Sequence, residues 1–417
     1  MGEFANAALG EVIELKRGYD LPQQDRLPGL VPIVSSSGVT AYHAKTMVRG
    51  PGVITGRYGT LGLVFYVTED FWPLNTTLYV RDFKGNHPRF IYYFLRSLDF
   101  NAYSDKAAVP GLNRNHLHLA PVRYPVEIDD QRAIADVLGA LDAKIDLNRR
   151  MNETLEAMAR AIFKDWFVDF GPTRAKMERR APYLAPEVWG LFPDRLDGYG
   201  KPEGWITTTV GNVAEKIGMR PFGSNIKVET FVDAGVPIVS GQHLRGTCLE
   251  DRDFNFITEE HAHRLGNSIV KRRDLIFTHA GNIGQVSIIP ETSAYDAYIL
   301  SQRQFYLRCD TRNISPYFAI YFFRSPGGQH KLLANSSQVG VPSISRPATN
   351  LKAIELCLPS KATMAAFDHI VREIHLKIGI ASQESETLSA TRDLLLPKLM
   401  SGEIRVKDAE KELERVA

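Results

Sequence analysis

Two stretches of this chain carry apolar side chains at alternating spacings of four and three, the seam of a long helix that packs lengthwise against another. In QRAIADVLGALDAKIDLNRRMNETLEAMARAIFKDWFVDF the seam is Ile134, Leu138, Leu141, Ile145, Asn148, Asn152, Leu155, Ala159, Ile162 and Trp166. In KATMAAFDHIVREIHLKIGIASQESETLSATRDLLLPKLMSGEI it is Phe367, Val371, Ile374, Ile378, Ala381, Ser385, Leu388, Arg392, Leu395 and Leu399, matching the first set one for one at a constant interval. Each seam needs a partner helix, and the duplication predicts that each supplies the other's.

Outside the helices the pattern changes. Residues 9–125 hold short apolar runs at 31–34, 63–67, 78–80 and 122–126 among Gly and Pro turns, a strand signature. One helix is predicted in HPRFIYYFLRSLDF, with Phe90, Ile91, Phe94, Leu95 and Leu98 on one face. After residue 204 the text replays in order. VPIVSSSG at Val31 returns as VPIVSGQH at Val236, and GRYGTLG at Gly56 as THAGNIG at Thr278. PRFIYYFLRS at Pro88 returns as PYFAIYFFRS at Pro316, and VPGLNRNHL at Val109 as VPSISRPAT at Val341. The intervals between these landmarks drift while the helices match without a gap, so the scaffold repeats and the loops diverge.

The expected fold is α+β: two similar α+β domains separated by two long antiparallel helices forming a coiled coil, a pseudo-two-fold internal repeat. The boundaries read as a first domain at 1–126, a central helix at 127–170, a connector at 171–203, a second domain at 204–359, a closing helix at 360–404 and a charged tail at 405–417. The connector, rich in Pro, Gly and charge, is expected on the surface. Phe163, Trp166 and Phe167 are expected on an outer helix face that a partner would cover. Asn148 and Asn152 fall opposite Ala381 and Ser385 in an antiparallel pair, a polar layer that either sets register or splays the coil.

A chain of 417 residues with 44% hydrophobic content can bury more than one core. Cys248, Cys309 and Cys357 are odd in number and far apart, which argues against disulfides and CxxC zinc sites and for a reducing compartment. The start, MGEFANAALGEVIELKRG, lacks a signal-length apolar core, and no apolar run anywhere is long enough to span a bilayer, so a cytoplasmic location is expected. With a net charge of only +2, a nucleic-acid partner would be held by local Lys and Arg clusters.

A repeated frame with different loops suits two domains that read different things, although drift of a duplicated fold gives the same pattern. The helix seam from Ile134 to Trp166 spans roughly 50 Å at ~1.5 Å per residue, on the order of 15 base pairs of DNA. No Asn/Asp-Pro-Pro-aromatic methyltransferase motif and no GxxxxGK[ST] loop occurs. GRYGTLG and AGNIG lack GxGxxG spacing and read as turns. His116 and His118, two apart on an expected strand, have no third ligand near in sequence; nor have His261 and His263, and no metal site is expected.

At this point the chain resembles the specificity (S) subunits of Type I restriction-modification systems. The resemblance rests on the whole-chain order, on VRYPVEIDDQRAIADVL leading into the central helix, and on LLLPKLMSGEI ending the closing one. The closing helix departs from the pattern: it starts through LPSKATMAAFDHI, without the Gln131–Arg132 pair. The resemblance implies a non-catalytic subunit whose domains are target recognition domains, each recognising one half of a bipartite site in double-stranded DNA. Its helices would dock two modification (methyltransferase) subunits that use S-adenosylmethionine, and restriction (motor-nuclease) subunits would join with ATP and magnesium. This chain itself would hold no cofactor. The rival readings are a protein-interaction scaffold with domains that do not bind DNA, and a nuclease, which the missing motifs disfavour.

Base reading and phosphate binding need Arg, Lys, Asn, Gln, Ser or Thr on stiff loops. In the first domain the candidates are Ser36, Ser37, Lys45, Arg57, Tyr58, Asn113, Arg114 and Asn115. In the second they are Gln242, His243, Arg245, Lys271, Arg272, His279, Asn282, Ser343, Ser345 and Arg346. Places taken as equivalent differ, Tyr58 against Ala280 and Asn113 against Ser343, as expected of halves that read different sequences. Tyr92, Tyr93, Phe94, Tyr321, Phe322 and Phe323 sit at helical spacing and read as core.

Overall fold

The computed structural model describes residues 3–58, 61–105, 111–219, 226–337 and 340–416, without the side chains of 104, 105 and 412–416. Gly59 and Thr60 of GRYGTLG, and Val109 and Pro110 of VPGLNRNHL, lie outside the described residues. The fold is α+β. The chain divides into two compact units, Met1–Leu147 with Glu384–Ala417, and Asn148–Gln383, so that each unit contains one end of both long helices.

In the first unit, strand Phe4–Ala8 pairs antiparallel with Pro121–Pro125, bringing the two ends of the domain's chain into one ribbon. A four-stranded antiparallel sheet runs in the order Glu14–Arg17, Thr77–Asp82, Gly52–Gly56, Val64–Val67. A smaller sheet holds Gly38–His43, Val31–Ser35 and Trp72–Pro73. Helix Pro88–Arg96 buries Phe90, Ile91, Tyr93, Phe94 and Leu95. These share a core with Ile134, Leu138 and Leu141 of the central helix, Ile128–Phe163, and with Leu395 and Leu399 of the closing helix, Lys361–Ser401; Leu388 packs at its margin. Each such side chain removed from water stabilises the fold by roughly 1.5–3 kcal/mol, which is why the seam closes on itself.

The second unit uses the same parts. Ile206–Thr209 pairs with Glu355–Leu358, and the four-stranded sheet orders Ala214–Met219, Gln304–Cys309, Leu275–Thr278, Val286–Ile288. Helix Pro316–Arg324 packs into a core with Ala159 and Phe163 of the central helix and Phe367, Val371 and Ile374 of the closing one; Leu155, Ile162 and Ile378 line it. Ile145 is half-buried.

Both units show the helices running antiparallel. In the first, Asp142 pairs with Arg392 and Lys144 with Glu384; in the second, Asn148 Nδ2 donates to Ala381 O (3.3 Å) and Asn152 Nδ2 to Ile378 O (3.4 Å) and Ser382 Oγ (3.1 Å). Asn148 is buried and bonded to the facing helix, whereas the buried Asn152 Oδ1 has no partner among the described residues. Asn148 and Ala381 are repeat equivalents that touch each other.

Four expectations are corrected. Phe163, Trp166 and Phe167 are not on an open face: they pack against Phe318, Phe367, Phe192 and Trp205 in the second unit's core. The connector therefore contributes to that core. It carries helices Gly171–Met177 and Pro186–Trp189, and Gly171 sits where any Cβ would fall 2.0 Å from Asp165 Oδ1. The charged tail contains a helix, Val406–Val416, whose Ala409 is buried in the first unit. His116 and His118 lie on helix Arg114–His118, and His261 and His263 on helix Glu259–Arg264, so neither pair shares a face.

The closing helix's different start has a structural counterpart. Gln131 is buried, accepts from His87 N (2.8 Å) and donates to Asn86 Oδ1 and Pro125 O. Its repeat equivalent, Met364, accepts from Ser315 N through Sδ at 3.1 Å, the same bond with a thioether in place of the amide.

Candidate nucleic-acid interface

In the first unit the site begins where strand Gly52–Gly56 runs out. Arg57 N donates to Thr76 O (2.8 Å), Arg57 O accepts from Leu112 N (2.9 Å), and Tyr58 bridges antiparallel to Gly111. A Cβ on Gly111 would meet Tyr58 Cε1 at 2.6 Å, so the glycine leaves the ring its present place. The Arg57 guanidinium lies 4.6 Å from the centre of the Tyr58 ring, which is 44% exposed. Beyond Leu112, Asn113 caps the short helix by accepting from Asn115 N (2.9 Å), leaving Arg114 and Asn115 exposed. His118 anchors that helix to the sheet by accepting Leu15 N at Nε2 (2.9 Å), and burial lowers its pKa.

Ser36 and Ser37 sit in the hairpin turn between Val31–Ser35 and Gly38–His43. The turn is held by Ser35 Oγ to Ser37 Oγ (2.9 Å) and by Gly38 at φ +104°. Leu74 N donates to Val34 O (2.8 Å), so the serine turn and Arg57 flank the same short segment, 74–77. Lys45 is not brought to this place. It follows His43 at the far end of the second strand, roughly 17 Å away at ~3.4 Å per residue.

The second unit repeats the ladder. His279 N donates to Arg303 O (2.9 Å), His279 O accepts from Ile344 N (2.8 Å), Ala280 bridges to Ser343, and Gly281 N donates to Pro342 O (2.9 Å). His279 thus stands in the place of Arg57, Ala280 in that of Tyr58, and Arg303 in that of Thr76. Ser345, rather than Ser343, takes the place of Asn113, because Ser343 is opposite Ala280 as Gly111 is opposite Tyr58. Arg346 then matches Arg114, both at the start of a short helix. Asn282 is exposed in the same loop.

The remaining candidates divide. His243 is buried, accepts Ser240 N at Nδ1 (2.9 Å) and packs on Phe254 at 4.4 Å; burial lowers its pKa, so it is a neutral core histidine. Gln242 Nε2 donates to Asp253 O (3.3 Å), while Arg245 is exposed. Lys271 and Arg272 lie before strand Leu275–Thr278, at the opposite end from His279, and Arg272 is paired with Asp296 (2.8 Å). Arg303 was missed because the turn that carries it holds no landmark shared by the two halves; the hydrogen bond to His279 is what identifies it.

Among the described residues no group of His, Cys, Asp and Glu is placed to hold a metal ion, and no helix is long and apolar enough to cross a membrane.

Residues 1–157 match the family model for the Type I restriction modification DNA specificity domain. The chain is 24% identical to the Type I restriction enzyme MjaIX specificity subunit of Methanocaldococcus jannaschii, over 90% of this chain and 82% of that one. It is 23% identical to the Type I restriction enzyme HindI specificity subunit of Haemophilus influenzae, over 76% and 77% respectively. The crystal structure of a Type-I restriction-modification system S subunit from M. genitalium has the same fold, with a TM-score of 0.59, 14% identity, and 95% and 96% coverage.

Proposed function

We infer that this chain belongs to the specificity subunits of Type I restriction-modification systems and that it is the part which recognises DNA, each unit reading one half of a bipartite site. The observation that carries this reading is the duplicated ladder: one backbone frame, held by equivalent hydrogen bonds, presents Arg57, Tyr58, Asn113 and Arg114 in one unit and His279, Ala280, Ser345 and Arg346 in the other. A frame shared by the two halves, with side chains that differ at three of these four rim places and an arginine common to both at the fourth, suits two sequences read in the same way. The specificity subunits to which the chain is similar over most of its length support the same conclusion.

In this reading the chain performs no chemistry. Two methyltransferase subunits dock on it, using S-adenosylmethionine, and motor-nuclease subunits supply ATP- and magnesium-dependent restriction in the cytoplasm. Methylation mapping of genomic DNA from cells with and without this chain, in the presence of its modification partner, tests the assignment. A split motif with a fixed gap that disappears on deletion is the expected result; modified motifs indifferent to the chain would refute it.

A further inference from the structure

The two ladders differ in where they carry a guanidinium. In the first unit Arg57 is on the loop and the facing turn offers Thr76; in the second the loop offers His279 and the facing turn carries Arg303. The two positions adjoin in both units, tied backbone to backbone at 2.8 and 2.9 Å, so each frame holds one arginine at one of two neighbouring places.

Neither arginine forms an ion pair among the described residues, whereas Arg81, Arg272, Arg308 and Arg312 all face carboxylates. Arg57 is also held in place, stacked on Tyr58, while Arg303 runs beside Gly281, where a Cβ would stand 3.1 Å from Nη1 and where a φ of +83° favours the absence of a side chain. Arg114 and Arg346, by contrast, are the same residue at the same place in both units. A contact common to both halves cannot tell the half-sites apart, which suits those two for phosphates.

We propose that Arg57 and Arg303 are the base-reading arginines of the two units, each taking O6 and N7 of one guanine in its own half of the DNA site. The inference rests on the DNA-recognition reading. A planar guanidinium with no internal carboxylate matches the two acceptors of guanine in the major groove, and holding it beforehand, as Tyr58 holds Arg57, reduces the entropy lost on binding.

The test uses the full chain with its modification partner and duplexes carrying its mapped site. Each guanine is replaced in turn by 7-deazaguanine, which lacks the N7 acceptor. One replacement in each half should weaken binding by roughly tenfold or more. Arg303→Ala and Arg303→Gln should abolish that sensitivity in one half only, and Arg57→Ala in the other only. Sensitivity that survives these substitutions, or full specificity restored by Arg303→Lys, would overturn the inference while leaving the recognition reading in place. A wild-type chain on which no split motif depends would overturn both.

Discussion

Burial keeps the His375 imidazole uncharged. Its Nε2 lies 2.9 Å from Tyr321 Oη and its Nδ1 3.2 Å from Cys248 Sγ; desolvation pushes its pKa down to about 4 and that of the Cys248 thiol up to about 12. A histidine whose folded pKa lies below its unfolded value near 6.5 lends full stability above 6.5 and loses it as the pH falls towards 4. The loss is on the order of 3 kcal/mol at ~1.4 kcal/mol per pH unit. The denaturation midpoint of the wild-type chain should therefore fall more steeply between pH 6.5 and 4.5 than that of His375→Gln; equal slopes would remove His375 from the account. Nothing in REIHLKIGI marks this histidine as buried, because its partners come from 54 and 127 residues away. The candidate site was legible to a similar depth. Arg57, Tyr58 and Asn113 were visible as polar residues beside turns, but that Asn113 answers to Ser345, and that Arg303 belongs to the site at all, depends on cross-strand bonds that no local pattern contains.

At the scale of elements, the two long helices were legible because a seam repeats every few residues and can be read without knowing the partner. Their polar contacts were not. Asp142 lies off the seam and Arg392 replaces an apolar residue on it, yet they meet at 2.7 Å, with Tyr93 Oη donating to the same carboxylate at 2.6 Å and Arg96 at 3.4 Å. The two ionic side chains are only 23% and 15% exposed, so losing one leaves the other poorly solvated. Asp142→Ala should cost about 2 kcal/mol by chemical denaturation, below the range for fully buried pairs because water still reaches this one. Combining it with Arg392→Ala should cost less than the sum of the single changes, and strict additivity would show that the pair is not coupled. The repeat equivalents of Asp142 and Tyr93 are His375 and Tyr321, so the same tyrosine reaches the same helix position in both units and finds an acid in one and an imidazole in the other. The duplication conserved the contact and let its chemistry diverge.

At the scale of the whole molecule, the duplication makes the two α+β domains separable by the chain's own geometry. Strand Ile206–Thr209 pairs with Glu355–Leu358 in the register Ile206↔Leu358, so the two ends of the second domain leave the unit side by side. Phe4–Ala8 and Pro121–Pro125 do the same for the first. Replacing residues 205–359 with the matching part of a relative therefore cuts the chain at two neighbouring points and leaves the central and closing helices continuous. The graft has to keep the side chains that face those helices. Phe318 packs on Phe163 and Phe167, Tyr321 and Cys248 contact His375, and Glu291 pairs with Arg372. A chimera that respects them should modify DNA at a motif with one half-site changed and the other retained, as methylation mapping would read directly. If both half-sites changed, the domains would be reading jointly; if neither did, the segment would carry no specificity. Either outcome would contradict a frame that holds two independent readers.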